Sequence, residues 1–153
     1  MANTYTQIHI QCVLAVKYRA SLIQPNWKDQ LQKYMTGIVQ NYGHKILAIN
    51  NMPDHMHMFF GFRPNQSLAD LMRIVKSESS KWINDKQFTP AIFNWQEGYR
   101  AFSYSRSHVA KVIEYVLNQE EHHRHKTFLE EYEQFLKQFE VDYDERYIFK
   151  LPE

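Results

Sequence analysis

The sequence predicts an α+β fold of the ferredoxin-like, split β-α-β kind, an antiparallel sheet with helices on one face, followed by C-terminal helices. Three observations predict it. Apolar alternation marks strands. Two stretches with helical spacing separate them in the order strand, helix, strand, strand, helix, strand. Only 4 glycines occur in the 153 residues, with no repeat and no low-complexity tract, so residues 1–153 read as a single domain.

Ile8 to Val16 opens the pattern, because Ile8, Ile10, Cys12, Leu14 and Val16 share one parity, as on a strand with a buried face. Pro25 then starts a helix through Trp27, Leu31, Tyr34, Ile38 and Val39 that stops near Gly43. Lys45 to Asn50 and His55 to Phe62 read as two strands joined by the turn Asn51-Met52-Pro53-Asp54. Ser67 is placed as N-cap of a second helix, with Asp70 three residues on in a capping-box-like position. That helix continues through Leu71, Ile74, Val75 and Trp82. A fourth strand lies within Tyr99 to Ser105. A third helix follows from about Ser107 to Arg124, and a short fourth covers Phe128 to Phe139.

Hydrophobic content of 44% and charged content of 23% describe a soluble globular protein. No stretch approaches the roughly 20 apolar residues that cross a bilayer. The start MANTYTQIHI lacks a basic segment followed by an apolar run, so no secretory signal is expected and the protein is read as cytoplasmic. Cys12 is the single cysteine, which excludes an internal disulfide and suits a core filler. The net charge of +1 is unevenly spread: residues 1–119 carry 13 Lys and Arg against 7 Asp and Glu, residues 120–153 carry 5 against 10. A basic body with an acidic tail suits a polyanion-binding surface.

Two stretches carry chemistry. On a strand, His55 and His57 point to one face and Met56, Met58 and Phe60 to the other. Two adjacent imidazoles are placed to grip one metal ion, although two solvent-facing histidines on an open sheet face would leave the same pattern. Because both point away from the apolar side, replacing them is expected to cost little stability. In the third helix the apolar stripe is Val109, Val112, Ile113, Val116 and Leu117. A step of about 100° per residue sets Tyr115 off that stripe, on the opposite side with His108, Lys111, Gln119 and His122. Tyr115 and Gln119, four apart, are neighbours on the helix surface.

Three blocks, PDHMHMFF, NWQEGYRAFSYS and YVLNQEEHH, resemble in order and spacing the HUH-type single-tyrosine transposases of bacterial insertion sequences and their relatives associated with repetitive extragenic palindromes. The resemblance runs over almost the whole chain, ending in YDERYIF. It implies that His55, His57 and Gln119 are metal ligands and Tyr115 the nucleophile. It further implies a divalent metal, Mg²⁺ or Mn²⁺, and cleavage and rejoining of single-stranded DNA near hairpins through a 5′-phosphotyrosine bond. A homodimer is implied too, in which Tyr115 of one subunit could serve the histidines of the other. Met56 stands where an aliphatic residue is more usual and Tyr104 where a smaller one is. Neither departure is expected to touch an implied role.

No phosphate-cradling Gly-x-x-x-x-Gly-Lys motif is present, consistent with joining chemistry that needs no nucleotide cofactor. For DNA contacts, the second helix offers Arg73, Lys76, Ser77 and Ser80 along one side. Arg63, Lys81, Arg100, Arg106, Lys111 and His122 are further candidates, and aromatic residues provide stacking surfaces. His122, His123 and His125 point in different directions on a helix and are not read as a second metal site. Two other functions fit the same residues: a metal-dependent phosphodiester hydrolase using His55, His57 and His122, and a non-catalytic module that binds DNA or RNA hairpins.

Overall fold

The computed structural model describes residues 4–119. The expected fourth helix, the third helix beyond Gln119 and His122 lie outside the described residues.

Strand β1 spans His9–Ala15, helix α1 Pro25–Asn41, strands β2 and β3 Lys45–Met52 and His55–Gly61, helix α2 Leu68–Lys86, strand β4 Arg100–Tyr104 and helix α3 Val109–Leu117. Every expected element within the described residues is present; α1, β2 and β3 start at the expected Pro25, Lys45 and His55, β2 runs on to Met52 and α2 to Lys86. Pro25 sits at the start of α1, where its missing N–H leaves no bond unmade. Ser67 caps α2, its Oγ accepting from the Asp70 N–H at 3.0 Å. Gly43, at φ 92, takes the left-handed turn that leads from α1 into β2.

The four strands form one antiparallel sheet in the order β2-β3-β1-β4. Both faces are covered. On one, Cys12, Leu14, Met56, Met58 and Phe60 pack against Leu31 and Met35 of α1 and Leu71 and Val75 of α2. This is the layer that the alternation in Ile8 to Val16 anticipates, and Cys12 is its fully buried filler. On the other face Val13, Ala15, Ala48, Phe59, Phe102 and Tyr104 meet Val112 and Val116 of α3. The added helix therefore turns the two-layer arrangement into three, and β3, central in the sheet, is buried along His55–Phe60.

Phe59 is fully buried in this second layer. Phe59→Ala is expected to destabilise the fold by about 3–5 kcal/mol through lost burial and the cavity left under α3. Urea unfolding measures it; a change below about 1 kcal/mol would mean that α3 does not rest on that face in solution.

A 3-10 turn at Lys17–Arg19, not foreseen from the sequence, follows β1. Tyr18 and Arg19 adopt left-handed φ values of 59° and 55°. The turn is pinned by the Val16 N–H donating to the Asp54 carbonyl at 2.9 Å. It delivers the Arg19 guanidinium to the Asp54 carboxylate, 3.2 Å away.

Candidate metal centre and nucleophile

His55 and His57 share a face of β3 with Phe59, opposite Met56, Met58 and Phe60. Both rings are buried, at 0% and 3% exposure. This corrects the expectation that their replacement costs little stability. The face away from the main core is covered by α3, so the histidines occupy an interior position that strand alternation alone does not reveal.

Each ring is gripped through Nδ1. His55 Nδ1 lies 2.7 Å from Asp54 Oδ1, and His57 Nδ1 lies 2.9 Å from Gln11 Oε1. A neutral imidazole that donates from Nδ1 carries its lone pair on Nε2. The two rings meet edge to face with centroids 5.1 Å apart. Burial works to raise the Asp54 carboxyl, but hydrogen bonding and charge from His55 and Arg19 outweigh it and hold the group below the usual carboxylate range. Asp54 is thus an anion that can accept the His55 Nδ1–H.

Helix α3 carries Tyr115, and Gln119 follows two residues after its end. Tyr115 is half-buried, its ring edge to face with His57 at 6.0 Å between centroids. Gln119 is fully buried, and its Nε2 donates to the Tyr115 carbonyl at 3.0 Å. That bond orients the amide and leaves Oε1 as its remaining polar atom. Among the described residues, no hydrogen-bond partner reaches the buried atoms Gln119 Oε1, His55 Nε2 and His57 Nε2. An amide oxygen and two imidazole nitrogens suit a divalent cation that keeps open positions for phosphate oxygens. Among the described residues no three His, Cys, Asp or Glu side chains are grouped so as to hold a metal ion.

The position of Tyr115 differs from the helical projection. Val112, Val116 and Gln119 face the sheet, and Tyr115 borders them, about 60° from Val112 around the axis. Leu117, expected in the buried stripe, is 55% exposed. A projection orders residues around a helix but leaves open which sector meets the sheet. The C-terminal end of α3 is tied down by Asn50 of β2, whose Nδ2 donates to the carbonyls of Val116 at 3.0 Å and Leu117 at 3.1 Å.

The candidate DNA contacts divide between the faces. Arg100 pairs in register with Val13, which pairs with His57, so all three side chains lie in one row on the histidine face. Arg106, in a 3-10 turn before α3, and Lys111, on α3, are exposed at the same layer. Arg73, Lys76 and Ser80 sit on α2, in the layer across the sheet, and the structure does not bring them together with His55 and His57. Lys76 Nζ is bound to the carbonyls of Gln96 at 2.8 Å and Gly98 at 2.9 Å, and burial lowers its pKa. Arg73 pairs with Asp70 at 2.7 Å, and Ser80 Oγ donates to the Ser77 carbonyl.

Sequence reasoning missed Asp54, Arg19, Gln11 and Asn50 as parts of this site. Gln11 left a signal: it is the polar residue inside the apolar run Ile10 to Val16. Tyr104 also enters, since its hydroxyl accepts from Gln11 Nε2 at 2.8 Å. Position 104 therefore reaches His57 through one intervening side chain.

Comparison with known proteins decides the family. The description "Transposase IS200 like" matches residues 4–119. The chain belongs to the IS200-like transposase family. Among curated relatives of this IS200-like chain, the ISDra2 transposase TnpA of Deinococcus radiodurans is 22% identical over 118 residues, 74% of this chain and 84% of the relative. A crystal structure of a chain assigned as a transposase from the same organism superposes with a TM-score of 0.61 at 22% identity, over 78% of this chain and 96% of the other. The structure of a REP-associated tyrosine transposase bound to a REP hairpin superposes with a TM-score of 0.60 at 13% identity, over 80% and 73%. These likenesses establish the α+β fold with its four-stranded antiparallel sheet. Among the described residues no helix is long and apolar enough to cross a membrane.

Proposed function

We propose that this IS200-like transposase is a metal-dependent, single-tyrosine strand transferase that cleaves and rejoins single-stranded DNA beside a hairpin, with Tyr115 as nucleophile and His55, His57 and Gln119 as metal ligands. The observation that carries the reading is the meeting of α3 and β3, which sets the Tyr115 ring 6.0 Å from His57 within one chain. A bound Mg²⁺ or Mn²⁺ would supply charge neutralisation at the scissile phosphate.

The chain's own residues supply the rest. The Tyr115 phenol loses its proton and its oxygen bonds to phosphorus. The bond from phosphorus to the 3′ oxygen breaks, and that oxygen takes a proton to leave as a 3′ hydroxyl. The 5′ phosphate stays on tyrosine, so the phosphodiester is exchanged rather than hydrolysed, and a second 3′ hydroxyl reverses the step without ATP. Arg100 in the row of His57, with Arg106 and Lys111, supports a DNA path along the α3 side of the sheet. The hairpin-bound structural neighbour supports a hairpin as the recognised element. A homodimer accords with the family resemblance.

Substrate form tests the reading. One sequence, labelled on both strands, is presented as duplex, as single strand and as hairpin with a single-stranded arm. The arm and the single strand should be cleaved with a protein-linked 5′ product, and the duplex left uncut, because a flexible strand can turn its phosphate toward Tyr115 at less cost than a stacked duplex. Binding should weaken as salt rises. Equal cleavage of the duplex would reject the single-strand model. Free ends without an adduct would favour the hydrolase, and binding without either would favour the hairpin-binding module.

A further inference from the structure

Gln11 is 1% exposed, in the middle of a sheet covered on both faces. A primary amide in such a place costs stability unless its polar ends are bonded. Both ends are: Oε1 to His57 Nδ1 at 2.9 Å and Nε2 to the Tyr104 hydroxyl at 2.8 Å. The register explains the reach. Gln11 stands directly opposite Phe59 on β3 and Phe102 on β4. His57 and Tyr104 are each two residues from those partners, the diagonal neighbours on the same face that a long side chain can touch. Tyr104 is itself buried, edge to face with Phe59 at 5.8 Å, so its hydroxyl is a fixed post for the amide.

We infer that Gln11, oriented by Tyr104, is a positioning residue that holds the His57 ring in the Nδ1–H tautomer and directs Nε2 toward the Tyr115 side as a lone-pair donor. The inference rests on the reading of His57 as a metal ligand. If the amide turned over, its NH₂ would face Nδ1 and the ring proton would move to Nε2, where it blocks ligation. In the orientation seen, the Tyr104 hydroxyl accepts from Nε2 and anchors that end of the amide, leaving Oε1 on His57 Nδ1. The two histidines are thus held differently: His55 by the anionic Asp54, His57 by a neutral amide. The neutral partner orients the ring next to the nucleophile without adding negative charge where a phosphate must approach.

The test uses the full chain with Gln11→Leu, Tyr104→Phe and Gln11→Glu, the last retaining an acceptor toward Nδ1. Proton–nitrogen NMR of the metal-free protein, at a pH where the ring is neutral, reads the His57 tautomer. Titration with Mn²⁺ alone reads affinity. Wild type should show the Nδ1–H form. Gln11→Leu should shift it toward Nε2–H and weaken Mn²⁺ binding about 10- to 100-fold, Tyr104→Phe should do so by a smaller factor, and Gln11→Glu should restore both. A folded Gln11→Leu that keeps the Nδ1–H form and binds Mn²⁺ within about twofold of wild type would overturn the inference. If Gln11→Leu does not fold, the same result for Tyr104→Phe overturns it. Should Mn²⁺ broaden no His57 resonance in wild type, the metal reading fails, while the tautomer of the metal-free variants still decides the role of Gln11.

Discussion

Tyr115→Phe is expected to abolish cleavage of a single-stranded substrate, a loss on the order of a thousandfold or more, because the phenol oxygen is the atom that would bond to phosphorus. Folding should be close to wild type. The substitution keeps the ring that packs against the apolar cluster under α3 and meets His57, and changes one hydroxyl at a half-buried position. Hairpin binding should also persist, since the candidate cations Arg100, Arg106 and Lys111 are untouched. The measurement pairs a gel for protein-linked DNA with a binding titration on the same oligonucleotide. Wild-type cleavage by the variant would remove Tyr115 as nucleophile. Loss of binding together with cleavage would recast it as a DNA contact.

The second large effect concerns the ligands. Chelation, or either His55→Ala or His57→Ala, should lower the cleavage rate by about a hundredfold or more, since metal stabilisation of charge in the transition state amounts to several kcal/mol. Mg²⁺ or Mn²⁺ added back should restore the chelated wild type and fail to restore the variants. Each alanine variant should also lose about 1–3 kcal/mol of stability in the metal-free protein, because a buried ring is removed and Asp54 or Gln11 loses its hydrogen bond to it. The kinetic and stability losses are separable: urea unfolding reads one, single-turnover cleavage the other. Full activity after chelation would show that the metal role is wrong. Retention of Zn²⁺ alone in a closed site would shift support to the hydrolase.

The order of elements, the caps and the two-faced character of the His strand were legible along the chain because they are local. Pro25 and Ser67 act within one helical turn of themselves, and alternation at His55, Met56, His57 and Met58 follows from strand geometry alone. The resemblance singled out Tyr115 and Gln119; the structure sets the Tyr115 ring edge to face with His57 and buries Gln119. The same local reasoning misplaced what depends on contact. It put Tyr115 opposite the apolar stripe, where it borders it, and Leu117 inside the core, where it is exposed. It also gathered Arg73, Lys76 and Ser80 into a DNA stripe that lies across the sheet from the histidines. Lys76, which reads as a free cation, is spent on two carbonyls of the segment before β4.

Fold class and the position of the strand that bears the histidine pair could be read along the chain because periodicity and capping act over a few residues; the residues for strand transfer came from the family resemblance. That α3 covers the histidine face, that Asp54 and Gln11 hold the two rings, and that Tyr104 stands behind Gln11 emerges from the packed fold. Those partners lie up to 93 positions apart along the chain, and strand register, not sequence distance, sets which side chains meet.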